Sequence, residues 1–116
     1  MSGATNHISF DDFLKVDIRV GRIARAEPYP EAKRPAYKVW VDFGGDIGVL
    51  KSSAQITVHY AIDDLPGMLV AGVVNFPPKQ IGKFMSEFLL LGFPDETGAV
   101  VLMQPNKDVP LGGRLF

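Results

Sequence analysis

Tyr37, Val39, Val41 and Phe43 alternate with Lys38, Trp40 and Asp42. A period of two sends the first set to one face of an extended strand and the second set to the other, a pattern that no helix reproduces. β-Branched and aromatic side chains suit that pleated, half-buried surface. Gly44-Gly45-Asp46 follows as a turn, and Ile47-Gly48-Val49-Leu50-Lys51 returns along it, which predicts an antiparallel hairpin. Val16, Ile18 and Val20 alternate in the same way, but Ile23 falls out of phase with them. Gly21 lies at the slip, so a bulge is predicted there, letting a long first strand curl. Met68 to Val74 is apolar at every position and predicts a central strand buried on both faces.

The rest of the chain supplies connections and ends. Residues 1–8 read as a tail and residues 9–116 as one folded unit. Ser9-Phe10-Asp11-Asp12-Phe13-Leu14 predicts a short helical turn, with Ser9 as cap, two acids at the positive end of the dipole, and Phe10, Phe13 and Leu14 sharing a face that needs a partner. Thr57 to Ile62 predicts a short helix closed by Pro66-Gly67. Pro77-Pro78 removes two ladder donors, so residues 75–83 are expected to form an exposed loop. Phe84 to Phe93 and Ala99 to Met103 predict a second hairpin, and Val109 to Phe116 a final strand or arm. Five or six strands with one short helix predict an all-β fold, a five-stranded Greek-key barrel of the OB type with extensions at both ends; an SH3-like barrel of nearly the same strand count is the alternative, and the helix between the third and fourth strands favours OB.

A chain of 116 residues with 47% apolar side chains suffices for one core and starves two. No apolar run reaches the roughly 20 residues that span a bilayer, and the first residues show neither a basic nor an apolar leader segment. No membrane insertion is expected. The absence of Cys removes disulfides, thiolate chemistry and most zinc schemes, and fits a cytoplasmic location. A net charge of −1 argues against nucleic-acid binding through bulk charge, although Lys15 to Lys83 carries ten basic against seven acidic residues. Nucleophile elbow, phosphate-cradling glycine loop and metal-ligand spacing are all missing from the sequence. Neither enzymatic activity nor a cofactor is expected. His7 belongs to the tail, and His59 is assigned to the surface of the short helix, a ligand contact being the alternative.

Three stretches carry binding chemistry. Lys33-Arg34 stands beside a strand start, where cations meet phosphates or an acidic peptide, or are merely solvated. Lys51-Ser52-Ser53-Ala54-Gln55-Ile56-Thr57 leaves a strand with more hydrogen-bonding groups than burial tolerates without partners; it reads a ligand, or caps the helix and satisfies local turns. Asn75-Phe76-Pro77-Pro78-Lys79-Gln80-Ile81-Gly82-Lys83-Phe84, with Ser86 and Glu87, combines stiff prolines, cations and apolar groups. Such a surface stacks bases or grips unfolded chain, unless Phe76, Ile81 and Phe84 simply plug the barrel end. Trp40 faces away from the predicted core and suits burial under a terminal arm or a second subunit, with base stacking as the alternative.

Several of these segments, in order, resemble one family: Asp17-Ile18-Arg19-Val20-Gly21-Arg22-Ile23, Arg34-Pro35-Ala36-Tyr37-Lys38, Asp42-Phe43-Gly44, Ser52-Ser53-Ala54-Gln55-Ile56-Thr57, Val74 to Gly82, and Ser86-Glu87 with Leu89 to Gly92. Together they are similar to the CsaA family of export-related chaperones, within the wider tRNA-binding-domain proteins, from about Phe10 onward. The resemblance implies an OB fold, a homodimer built from the terminal extensions, and binding of unfolded or export-destined polypeptide, with tRNA as the alternative ligand. Phe10, Phe13, Leu14, Trp40, Val109, Leu111 and Leu115 are then expected at the dimer interface. One departure bears on the ligand. Synthetase-associated relatives keep a Ser-x-Gly-Met turn beside the tRNA site, where this chain reads Ser86-Glu87-Phe88-Leu89. An acid and a bulky ring in that place imply weak tRNA binding and favour polypeptide.

Overall fold

The computed structural model describes residues 6–116, so residues 1–5 of the predicted tail lie outside the described residues. Helix α1 (Phe10–Leu14) opens with a reciprocal cap: Asp12 N–H donates to Ser9 Oγ at 3.1 Å, and Ser9 N–H donates to Asp12 Oδ2 at 3.2 Å. Strands β1 (Ile18–Pro28), β2 (Tyr37–Asp42), β3 (Val49–Ala54), β4 (Leu69–Val73) and β7 (Leu89–Leu90) form an antiparallel sheet in the order β3-β2-β1-β4-β7. It curls until its edges β3 and β7 approach, giving the nearly closed five-stranded OB-type barrel that the sequence predicts. Two small hairpins complete it: β5 (Lys79–Ile81) with β6 (Phe84–Ser86), and β8 (Gly92–Pro94) with β9 (Val100–Leu102). Among the described residues no helix is long and apolar enough to cross a membrane.

The alternation at Val39, Val41 and Phe43 is realised in full, since all three are completely buried beside Ile23, Leu65, Val70 and Phe88. β4 is buried along its whole length. β1 differs from expectation. Its irregularity falls between Ile23 and Arg25, not at Gly21. Val20 stands opposite Ala71 and Ile18 opposite Val73, whereas Gly21 stands opposite Val70. Gly21 and Ile23 therefore lie on the buried core face and Ile18 and Val20 on the other, where they are half-buried, so no slip at Gly21 is needed. The C-terminal arm runs along β1: Val20 N–H donates to Gly113 O (3.1 Å), Gly112 N–H to Val20 O (2.8 Å) and Leu115 N–H to Ile18 O (2.8 Å). Arginines at both ends fasten it, as Arg19 donates to Gly112 O at 3.0 Å and Arg114 to Leu14 O at 2.6 Å. Asp17 joins this knot, and the hydrogen bond from Arg19 holds its carboxyl below the usual carboxylate range.

Four boundaries also differ. The helix expected over Thr57–Ile62 is a turn, and a single 3-10 turn forms at Ile62–Asp64. Tyr60 explains this: its carbonyl accepts from the Tyr37 hydroxyl at 2.8 Å and its own hydroxyl accepts from Leu102 N–H at 2.9 Å, tying the residue to two strands. The return strand begins at Val49 and runs to Ala54, so the polar run Lys51–Ser53 lies within β3 and does not leave it. The loop expected over 75–83 is a loop only to Pro78, because Lys79 onward pairs with β6. Gly82 makes that turn at φ 62°, and a side chain there would strike the Tyr29 hydroxyl at 2.6 Å. The segment expected as one strand from Phe84 to Phe93 is broken into β6, β7 and β8, so that Phe88 can turn inward against Phe43.

Candidate functional site: a groove at the seam of the barrel

β3 and β7 approach without pairing along their length, and a groove of about 940 Å3 occupies the seam. One wall is the end of β3, Ser52 to Ile56. The other is Phe76 to Ile81, held upright by its prolines and by the β5–β6 hairpin. Phe88, Leu89, Leu90, Val100 and Leu102 line it as well. Of the residues expected to bind ligand, Ser52, Ser53, Gln55, Phe76, Pro78, Lys79, Ile81 and Ser86 meet here. Among the described residues Lys79 is the one cation in the lining, so the surface is mainly apolar with a minority of polar groups. Phe76 and Leu89 are about half exposed, which leaves apolar area available to a guest.

Other expected residues do structural work or lie elsewhere. Phe84 is buried, not offered to ligand: Tyr29 and Trp40 pack on it at 5.8 and 6.0 Å between ring centroids. Trp40 lies under the Arg25 guanidinium, 3.9 Å from its ring centroid, while Lys38 and Lys51 place ammonium groups 5.3 and 5.0 Å from Phe84. Asn75 is committed to backbone, accepting from Asp17 N–H at 3.0 Å and donating to Lys15 O at 2.7 Å. Lys33 and Arg34 stand exposed in the β1–β2 connection, and Lys83 is at the tip of the β5–β6 hairpin; none of them lines the groove.

The Ser86-Glu87-Phe88 run has a different meaning from the one its sequence suggests. Phe88 is a core residue, edge-on to Phe43 at 5.2 Å. Glu87 closes the seam: its N–H donates to Lys51 O at 2.8 Å, and its carboxylate accepts from Lys51 N–H at 3.1 Å. Ser86 Oγ lies 2.9 Å from Ser52 Oγ and accepts from Ser53 N–H at 3.1 Å. Glu87 therefore has a structural part at the seam, and because its partners there are neutral backbone groups, the expectation of weak tRNA binding stands as the sequence gives it. Ser86→Ala strands the Ser53 N–H and part of the buried Ser52 hydroxyl. We expect a loss of about 1 kcal/mol in urea unfolding, at the low end for an orphaned donor because groove water can reach it.

Ile56, Leu89, Leu90, Val100 and Leu102 were not expected at the site, because apolar residues in strand-like runs read as core. The signal available was the three leucines at 89–91, one more than a two-faced short strand can hide. His59 likewise gains a partner that spacing did not reveal, since its Nε2 lies 2.6 Å from Asp95 Oδ2 across 36 residues. The Thr97 hydroxyl and then His59 hold the Asp95 carboxyl far below the ordinary carboxylate range, bracing the β8–β9 turn.

Residues 18–114 match the family described as "Putative tRNA binding domain". Chaperone CsaA from Bacillus anthracis is 45% identical with a TM-score of 0.88, over 95% of this chain and 99% of that one. The CsaA chaperone protein from Picrophilus torridus is also 45% identical, with a TM-score of 0.87 over 95% and 100% of the two chains. The methionine–tRNA ligase of Thermococcus onnurineus is 34% identical over 113 residues, 97% of this chain but 15% of that enzyme, so the likeness covers a small part of the synthetase. A shared barrel, matched nearly end to end at this identity, places the chain in the tRNA-binding-domain family, among its CsaA-like members.

Proposed function

We propose that this protein is a non-catalytic, CsaA-like chaperone that holds unfolded or export-destined polypeptide in the seam groove, working as a cytoplasmic homodimer. The mainly apolar lining, with Lys79 as its one cation, carries the reading: it suits side chains of an extended chain far better than a row of phosphates. Phe10, Leu14 and Val109 leave large apolar area exposed at the two terminal extensions, Phe10 being 69% exposed, which supports a twin subunit there, with Phe13, Leu111 and Leu115 beside them. Sedimentation at micromolar concentration tests that part, and a monomer would remove it.

A second reading has its own support. Arg25, Lys38 and Lys51 gather around Trp40 and Phe84 on the outer face of β1, β2 and β3, a cation-bearing aromatic surface of the kind that takes a tRNA backbone, with Lys33 and Arg34 as further contacts.

Leu89→Lys discriminates between the two. Against extended apolar-basic peptides, followed by fluorescence anisotropy, it is expected to weaken binding about tenfold, since roughly half a leucine side chain loses its apolar contact. The affinity of the unaltered protein for those peptides should barely change with salt. Indifference to such peptides, or a steep salt dependence with labelled tRNA and no effect of Leu89→Lys, would transfer the assignment to RNA.

A further inference from the structure

The two edges that meet at the groove do not meet equally along their length, and the difference has a direction. In the β2–β3 ladder, alternate residues of β3 turn their backbone groups toward β2 and away from it. Lys51 and Ser53 are of the outward set, because both reach groups on the far side of the seam: Lys51 exchanges two hydrogen bonds with Glu87, and Ser53 N–H finds Ser86 Oγ. Residues 86–87 thus occupy, along half of the β3 edge, the place of a sixth strand. Gln55 follows directly on Ala54, the last residue of β3, and is exposed where it lines the groove opposite Phe76 to Ile81. Among the described residues its backbone N–H and C=O have no partner, and continuing the alternation by one residue would turn both outward. An unpaired edge beside an apolar trough is what strand addition needs: the backbone supplies affinity and alternate side chains fill pockets.

We propose that the bound polypeptide enters this seam as an added β-strand, continuing the line begun by Glu87 and extending the β3 edge by pairing with Gln55, the residue just past its end. The inference rests on the polypeptide reading given above and adds the mode of recognition. Every second side chain of the guest points toward the exposed apolar lining at Phe76 and Leu89, and the intervening ones face Lys79 and water. Selectivity then follows from an extended conformation with apolar residues at alternate positions, not from a fixed sequence. Such segments are buried in a folded client and exposed in an unfolded one, which separates the two without a dedicated sensor.

The test uses the full chain and a labelled peptide of about ten residues, leucine at alternate positions and serine between. Two readouts are taken: affinity for a series of peptides each N-methylated at one amide, and hydrogen exchange of the Gln55 amide. Strand addition predicts that methylation weakens binding about tenfold or more at every second position and little between, and that saturating peptide slows Gln55 exchange at least about tenfold. If the unmethylated peptide binds and Leu89→Lys weakens it, while methylation is tolerated throughout or harmful without alternation, or Gln55 exchange is unchanged, strand addition fails and the polypeptide reading stands. If the unmethylated peptide does not bind, both fall.

Discussion

Phe43→Ala is expected to cost about 3–5 kcal/mol, most of what a domain of this size has in reserve. The ring is fully buried, it meets Phe88 edge-on at 5.2 Å, and it stands at the end of β2 where the core strands and the groove floor converge. Alanine removes the transfer energy of a phenyl group and leaves a cavity that the surrounding close-packed core fills only in part. Urea unfolding should show a midpoint shift with little change in slope. Because Phe88 forms part of the groove and rests on Phe43, peptide affinity should fall in conditions where the variant is still folded. A change below about 1 kcal/mol would mean that this ring is not the keystone its burial indicates.

Gly21→Ala is expected to destabilise by about 1–3 kcal/mol, and here the sign is the test. A glycine in a strand ordinarily gains stability on acquiring a methyl group, because the unfolded chain loses freedom. Gly21 has no positive φ that would demand glycine. The added carbon would lie 2.5 Å from Val41 Cγ1, 2.9 Å from Phe43 Cδ1 and 3.0 Å from the Asp42 carbonyl oxygen. Two of those neighbours are completely buried side chains, and the third is backbone, so nothing nearby can yield cheaply. The same substitution combined with Val41→Ala should recover part of the loss, as contact residues couple in double-mutant cycles. Stabilisation by the single change would mean that Val41 and Phe43 yield to the methyl group and that the loss of unfolded-chain freedom dominates.

Gly21 shows why one strand was misread while its neighbour was not. For β2 the alternating pattern sufficed, since one face is core and the other carries Lys38 and Asp42. For β1 the second phase, Ile18 and Val20, is half-buried, and its backbone edge is paired by residues 112–115, about 93 positions away, so a period-two pattern with both phases apolar resembles a slip. Local signals elsewhere served well: the reciprocal cap at Ser9 and Asp12 spans three residues, and the all-apolar β4 needs no partner to be recognised.

The site divides in the same way. Ser52, Ser53, Gln55, Phe76, Pro78, Lys79, Ile81 and Ser86 were legible because polar or proline-stiffened runs beside strands seldom serve only the core, and they do meet at one groove. Asn75, Phe84 and Glu87 carry the same residue types in the same stretches, yet fasten α1 to β1, fill the space between Tyr29 and Trp40, and close the barrel. Nothing in their local sequence separates the two groups. Alternation, capping and turn chemistry, all settled within a few residues, determine the strands, the barrel and the stretches that bear binding groups. Which of those groups line the groove is decided only when β3 and β7 curl together and stop short of pairing. Side-chain availability depends on partners 34 to 60 residues distant, as Ser52 with Ser86 and Asn75 with Lys15 show, and contacts at that separation leave no period in the chain.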